Sequence, residues 1–236
     1  MEKNNIYNRA DALISEYKEF IERIKERKAE ESVTLKHIID LKSVLANINN
    51  LITLLATHAV AYKIAEAFEF PEEDTRELID KIDNVGPNTN GYDIKIDDPK
   101  ILVEVKCNKL IDGKFGANQL KSMQNDILKL LDPSLGDYKK AYELIENTSE
   151  YLKILAIVDF DNVSAQQLFN HLRKERKYKP ETDEKRKKRK DTWKVVRLVE
   201  GPIPTELNPE DKSKYVYILV LAPQDLEDSL NKILAK

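Results

Sequence analysis

Cysteine is almost missing from this chain of 236 residues: Cys107 stands alone, so no intramolecular disulfide can form. No uninterrupted apolar run approaches the roughly 18 residues of a membrane-spanning helix. The opening Met-Glu-Lys-Asn-Asn lacks the basic-then-apolar pattern of a secretion signal. These absences set the expectation of a cytoplasmic protein with no membrane partner. The three histidines and the one cysteine show no zinc-ligand spacing. No glycine-rich phosphate loop and no serine or cysteine triad is visible either. Glycine is scarce, six in all, so Gly86 and Gly91 close together mark special backbone geometry or the close approach of a ligand. What is plentiful is charge, 34% of residues against 41% hydrophobic ones, in a chain long enough to bury a core.

The net charge of −3 conceals an asymmetry. Between Arg173 and Lys190, eleven Lys or Arg stand against four acidic residues, a surplus of seven, so the rest of the chain carries −10. An acidic body with one basic segment suggests a polyanionic partner. The competing reading is a solvated loop.

Ile6, Leu13, Tyr17, Phe20, Ile21 and Ile24 recur at three- and four-residue spacing, which predicts a helix over 6–31. Ser32 is placed to cap a second helix. Its apolar positions run from Leu35, Ile38, Ile39, Leu41 and Leu45 through Ile48, Leu51, Ile52 and Leu55 to Ala59, Tyr62 and Ala65. A break is expected near Asn47, Asn49 and Asn50, and an end at Pro71. Glu66 falls on the side of Leu55, Ala59 and Tyr62, with Glu69 nearby. A carboxylate on an apolar stripe needs a partner, so Glu66 either reaches a polar site before the next strands or meets water at the helix end. His58 reads as a satisfied core histidine. Further helices are predicted over 72–83, 117–131, 137–147, from Ser164 to about Arg173, and 224–234. In the helix over 117–131, Leu120, Met123, Ile127, Leu130 and Leu131 point inward. The near-continuous apolar run 151–160 predicts a strand buried on both faces. Strands over 193–199 and 215–221 flank a proline-rich loop with Pro202, Pro204 and Pro209.

The stretch 90–106 carries the chemistry. Ile94 and Ile96 alternate with polar residues, Asp97-Asp98-Pro99-Lys100 makes a turn, and Ile101 to Val105 form a second strand, so the whole reads as a hairpin. Asp93 begins the first strand. Glu104 and Lys106, two residues apart, point to one face of the second. Two carboxylates, the Val105 carbonyl and waters give the all-oxygen coordination that Mg2+ prefers. Such an ion acidifies a bound water and stabilises charge on a phosphoryl oxygen. Lys106 is then placed to orient or deprotonate that water, or to steady the developing charge. Helix, hairpin, helix, strand, helix in that order gives an α/β architecture, a mixed β-sheet flanked by helices.

Asp93, ten intervening residues, then Glu104-Val105-Lys106 on an apolar strand resembles the motif of the PD-(D/E)XK nucleases, and among these most of all the type II restriction endonucleases. Tyr92 stands where that family often has proline. The resemblance covers about residues 58–160. It implies a restriction-endonuclease-like core and Mg2+-dependent hydrolysis of phosphodiester bonds in double-stranded DNA at a short sequence, with Mn2+ able to substitute. It assigns Asp93 and Glu104 to the metal, Lys106 to the water, and Glu66 to the accessory glutamate that some members carry. The division that follows is a helical N-terminal region over 1–57, for dimerisation or for embracing DNA, and a nuclease core over 58–236 with a basic insertion at about 173–190. A homodimer suits a palindromic target. Candidates for DNA contact are Asn88 and Asn90 before the hairpin, Lys109 and Lys114 after it, Asn118, Gln119, Lys121 and Gln124 on the following helix, and Arg186, Lys187 and Arg189 in the basic segment. Two other functions remain open: a structure-selective nuclease of the same superfamily, such as a junction resolvase or repair enzyme, and a non-catalytic DNA-binding module.

Overall fold

The computed structural model describes residues 8–25, 35–84, 91–110, 115–133, 145, 147–161, 170, 195–198 and 202–235. The helices expected over 137–147 and from Ser164, and the basic segment 173–190, fall wholly or almost wholly outside these residues. Within them the elements are α1 (Asn8–Lys25), α2 (Leu35–Ala67), α3 (Glu72–Asn84), β1 (Ile94–Asp97), β2 (Lys100–Lys106), α4 (Ala117–Leu131), β3 (Leu152–Val158), β4 (Val196–Leu198), α5 (Pro209–Lys214), β5 (Val216–Leu221) and α6 (Pro223–Leu234).

The five strands make one mixed sheet in the order β1-β2-β3-β5-β4. The hairpin forms as its alternation predicts: β1 lies antiparallel to β2, with Ile94 opposite Val103 and Asp97 opposite Lys100. All other neighbours are parallel, with Glu104 beside Leu155 and Ile157 beside Val220. Period-two alternation sorts β2 between two layers. Ile101, Val103 and Val105 face the layer of α2, α3 and α6. Leu102 faces the layer of α4, and Glu104 and Lys106 share its side.

β3 is buried along its whole length, as its continuous apolar run requires. Its exception is Lys153, fully buried, whose ammonium donates to the carbonyl of Tyr151 at 3.3 Å and to that of Lys212. Burial pulls its pKa down to about 8.

α2 is a single helix of 33 residues without the expected break. Asn49 and Asn50 are exposed, and Thr53 Oγ1 donates to the Asn49 carbonyl at 2.9 Å, so the polar run is solvated on the helix surface. The boundary drawn at 57/58 therefore falls within one continuous helix, whose residues Leu54, Leu55 and Ala56 already belong to the core. Leu41–Ala67 reaches the length and mean hydropathy (1.4) of a membrane span, with half of it buried in the fold. A search for uninterrupted apolar residues passes over it because Asn and Thr intervene. Its N-terminal half leaves Leu35, Ile38, Ile39, Leu41 and Leu45 exposed, while α1 lies alongside through a hydrogen bond from Asn47 to Glu16. Within the proline-rich loop the structure adds α5: Asn208 caps it by accepting from Asp211 N–H at 2.8 Å, and Pro209 opens its first turn.

Candidate active site

Asp93 sits one residue before β1. Its backbone N–H donates to the Val103 carbonyl at 3.1 Å, and its Oδ2 accepts from the Val105 N–H at 2.7 Å. The carboxylate thereby occupies the place that the next residue of a longer β1 would take. Along a strand, each residue turns its N–H and C=O to the same side, alternately left and right. Val105, like Val103, turns both to the β1 side, so its carbonyl opens at the sheet edge beside Asp93.

Glu104 and Lys106 share a face, as their spacing requires, but they do not pair with each other. Lys129 Nζ of α4 lies 2.5 Å from Glu104 Oε1, and Lys106 Nζ lies 2.7 Å from Asp126 Oδ2, also of α4. Two parallel ion pairs thus bridge strand and helix. Both acceptor oxygens are buried, and neither has a hydrogen bond of good geometry in addition. Tyr92 backs the arrangement: its hydroxyl donates to the Lys129 carbonyl at 3.3 Å, and Lys129 Nζ lies 5.4 Å from its ring centre. Burial and the neighbouring carboxylates drive the Tyr92 phenol far above its ordinary range.

The electrostatics follow from crowding carboxylates in a poorly solvated pocket. Glu104 is 4% exposed. Burial, and after it the Asp93 charge, pushes its carboxyl up to about 8, with Lys129 pulling the other way. Desolvation also raises Asp93, against the Val105 N–H and the cations Lys106 and Lys129. Asp93 keeps an exposed surface, and solvent there limits the rise. For Lys106 burial is the largest influence and lowers the pKa, but Asp126, Glu104 and Asp93 together hold it above its ordinary value, so the ammonium stays charged. Cys107 follows directly and turns to the α2 side, where its Sγ lies 3.9 Å from the Ile52 carbonyl. Burial pushes its thiol up to about 12, which leaves it unreactive.

The oxygens on hand are those of Asp93 and Glu104, whose charges act on each other, and the Val105 carbonyl. Among the described residues no three His, Cys, Asp or Glu side chains come together at metal-ligand distance. A hard cation completing its shell with water fits such a set.

Glu66 does not belong to this group, contrary to the expectation. Glu104 and Lys106 face α4, whereas α2 covers the opposite face. The end of β2 meets α2 at Ile52, and Glu66 lies fourteen residues further along, about 21 Å at the helical rise. It is exposed, lining with Glu69, Lys63, Asp225 and Lys232 an open groove of about 460 Å³ between α2 and α6. Glu69 therefore does not complete the site either. His58 is a core residue, but only half satisfied: its Nε2 lies 2.8 Å from Asp83 Oδ1, whereas its Nδ1 is buried without a hydrogen bond.

Of the candidate DNA contacts, Lys109, Asn118 and Lys121 are exposed. Gln119 has an internal task. Its Oε1 accepts from the Gly116 N–H at 2.7 Å and its Nε2 donates to the Lys109 carbonyl at 3.3 Å, closing the loop that leads into α4. Gln124 is buried, 5% exposed, with its Oε1 unbonded, so it cannot present its amide to DNA in this arrangement. Asn88, Asn90, Lys114, Arg186, Lys187 and Arg189 lie outside the described residues. Asp126 and Lys129 are the site residues that sequence reasoning missed.

No protein-family model, no curated protein and no solved structure matches this chain.

Proposed function

We propose that this chain is a metal-dependent endonuclease of the PD-(D/E)XK kind, cutting double-stranded DNA at a short sequence in the manner of a type II restriction enzyme, as a homodimer in the cytoplasm. The observation that carries the reading is the hydrogen bond from Val105 N–H to Asp93 Oδ2 at 2.7 Å. It brings the aspartate at the start of one strand against a Glu-x-Lys on the next, at the edge to which the Val105 carbonyl also turns. The α/β order and the mixed sheet are in keeping with it.

Asp93, Glu104 and the Val105 carbonyl are the residues to hold Mg2+, with Mn2+ as a substitute, and the ion supplies an acidified water and charge stabilisation at the phosphoryl group. Lys106 stays charged beside Asp126, so its part is to donate a hydrogen bond, orienting the attacking water or steadying negative charge on the phosphate, and not to accept a proton. Lys109, Asn118 and Lys121 offer the backbone contacts that fix the duplex over the site.

Incubation with plasmid DNA and Mg2+ tests this. Discrete fragments are expected, and Asp93→Ala or Lys106→Ala should lower the cleavage rate by about a hundredfold or more. Cleavage confined to branched substrates would move the assignment to a structure-selective nuclease. Binding without cleavage in Mg2+ or Mn2+ would make the protein a DNA-binding module.

A further inference from the structure

Lys129 takes up one oxygen of the carboxylate that a metal would need. Its ammonium lies 2.5 Å from Glu104 Oε1, with a side chain only 13% exposed. The residue is fixed from behind by the Tyr92 hydroxyl on its carbonyl and by the Tyr92 ring under its ammonium. Lys106 is not free to substitute for it, since Asp126 holds Lys106 on the adjacent turn of α4. A divalent ion bound to Glu104 at ~2.1 Å would stand within about 4 Å of this ammonium, where two positive charges in a poorly solvated pocket repel strongly.

We propose that Lys129 is a resident counter-cation of the site, which a divalent metal must displace from Glu104 in order to bind. The inference rests on the metal reading of the same site and adds its regulation. In the absence of metal, α4 closes the site with its own charge. On binding, the four-carbon stem of Lys129 carries the ammonium out of the pocket, and the affinity for metal is lower than Asp93, Glu104 and the Val105 carbonyl alone would give. Lys129 is a positioning residue by this account and touches no reacting atom.

Mn2+ binding to the full chain without DNA, read from the free-ion electron paramagnetic resonance signal, provides the test. Lys129→Met is expected to bind Mn2+ on the order of tenfold more tightly than the wild type, and Lys129→Arg, which keeps the charge, to bind close to wild type. A second readout needs no variant: acetylation of Lys129 in the wild type, followed by mass spectrometry, should speed up several-fold on adding Mn2+, while the exposed Lys121 on the same helix stays constant. If Mn2+ binds the wild type and not Asp93→Ala, yet leaves Lys129 acetylation unchanged, the displacement is refuted and the metal site stands. If Lys129→Met folds but binds no more tightly than wild type, the displacement is likewise refuted. Equal binding by wild type and Asp93→Ala, or binding by neither, removes the metal reading and this inference with it.

Discussion

Glu104 is a carboxylic acid placed where its ionised form is disfavoured, and stability should record this. Its folded pKa, about 8, lies above the ordinary 4.5, so the folded protein holds this proton more tightly than the unfolded chain between those values. The contribution is fully present below about pH 4.5 and is lost as pH rises through 8. Glu104→Gln mimics the protonated acid. In urea melts without divalent ions it should match wild type near pH 4.5 and exceed it by roughly 2–4 kcal/mol above pH 8.5. A parallel decline of both proteins would mean that Glu104 is already ionised at neutral pH. Glu104 and Lys106 were legible because strand alternation fixes side and spacing together, and Asp93 because it stands at the start of the hairpin's first strand. Asp126 was legible in principle and was passed over. It lies three residues after Met123 and four before Leu130, a carboxylate on an apolar stripe, and the reasoning that singled out Glu66 applies to it with more force.

Elements were easier to find than to aim. Periodicity gave α4, the hairpin and β3 almost to the residue, because each has a strong repeat and clear ends. It missed α5, whose Asn-Pro start was hidden among other prolines. For α2 it identified the apolar stripe, which is buried in the C-terminal half and exposed at Leu35, Ile38, Ile39, Leu41 and Leu45, but not the direction of the helix across the sheet. Glu66 was for that reason assigned to the wrong end, since facing can be read from a sequence and orientation depends on packing between distant elements. The same helix carries the proposal for assembly. Leu35, Ile38, Ile39, Leu41 and Leu45 are exposed on its N-terminal half, an apolar surface suited to a second copy. Sedimentation is expected to give twice the 27.3 kDa chain mass for wild type. Leu41→Glu with Leu45→Glu should return it to the monomer without loss of helical signal. A monomeric wild type would remove the dimer from the proposal.

At the scale of the whole molecule, the order of elements indicated the layered α/β class and composition the asymmetry of charge, but not how the acidic body and the basic segment share the work. If the basic segment holds DNA, log affinity should fall steeply with log salt, and neutralising the six basic residues at 185–190 should flatten that slope by as much as about 5. An unchanged slope would place those residues away from the duplex. The two parallel ion pairs of the site bear on the same encounter. Asp93, Glu104 and Asp126 bring three carboxylates against the two ammoniums of Lys106 and Lys129, so the fully ionised pocket is one charge short of neutral. In the proposed reading a divalent ion brings two charges while the Lys129 ammonium leaves, so the pocket rises from one net negative charge to neutral. The repulsion of a phosphodiester is lifted once the ion is in place, and the order of arrival, ion before scissile phosphate, is written into the local charge.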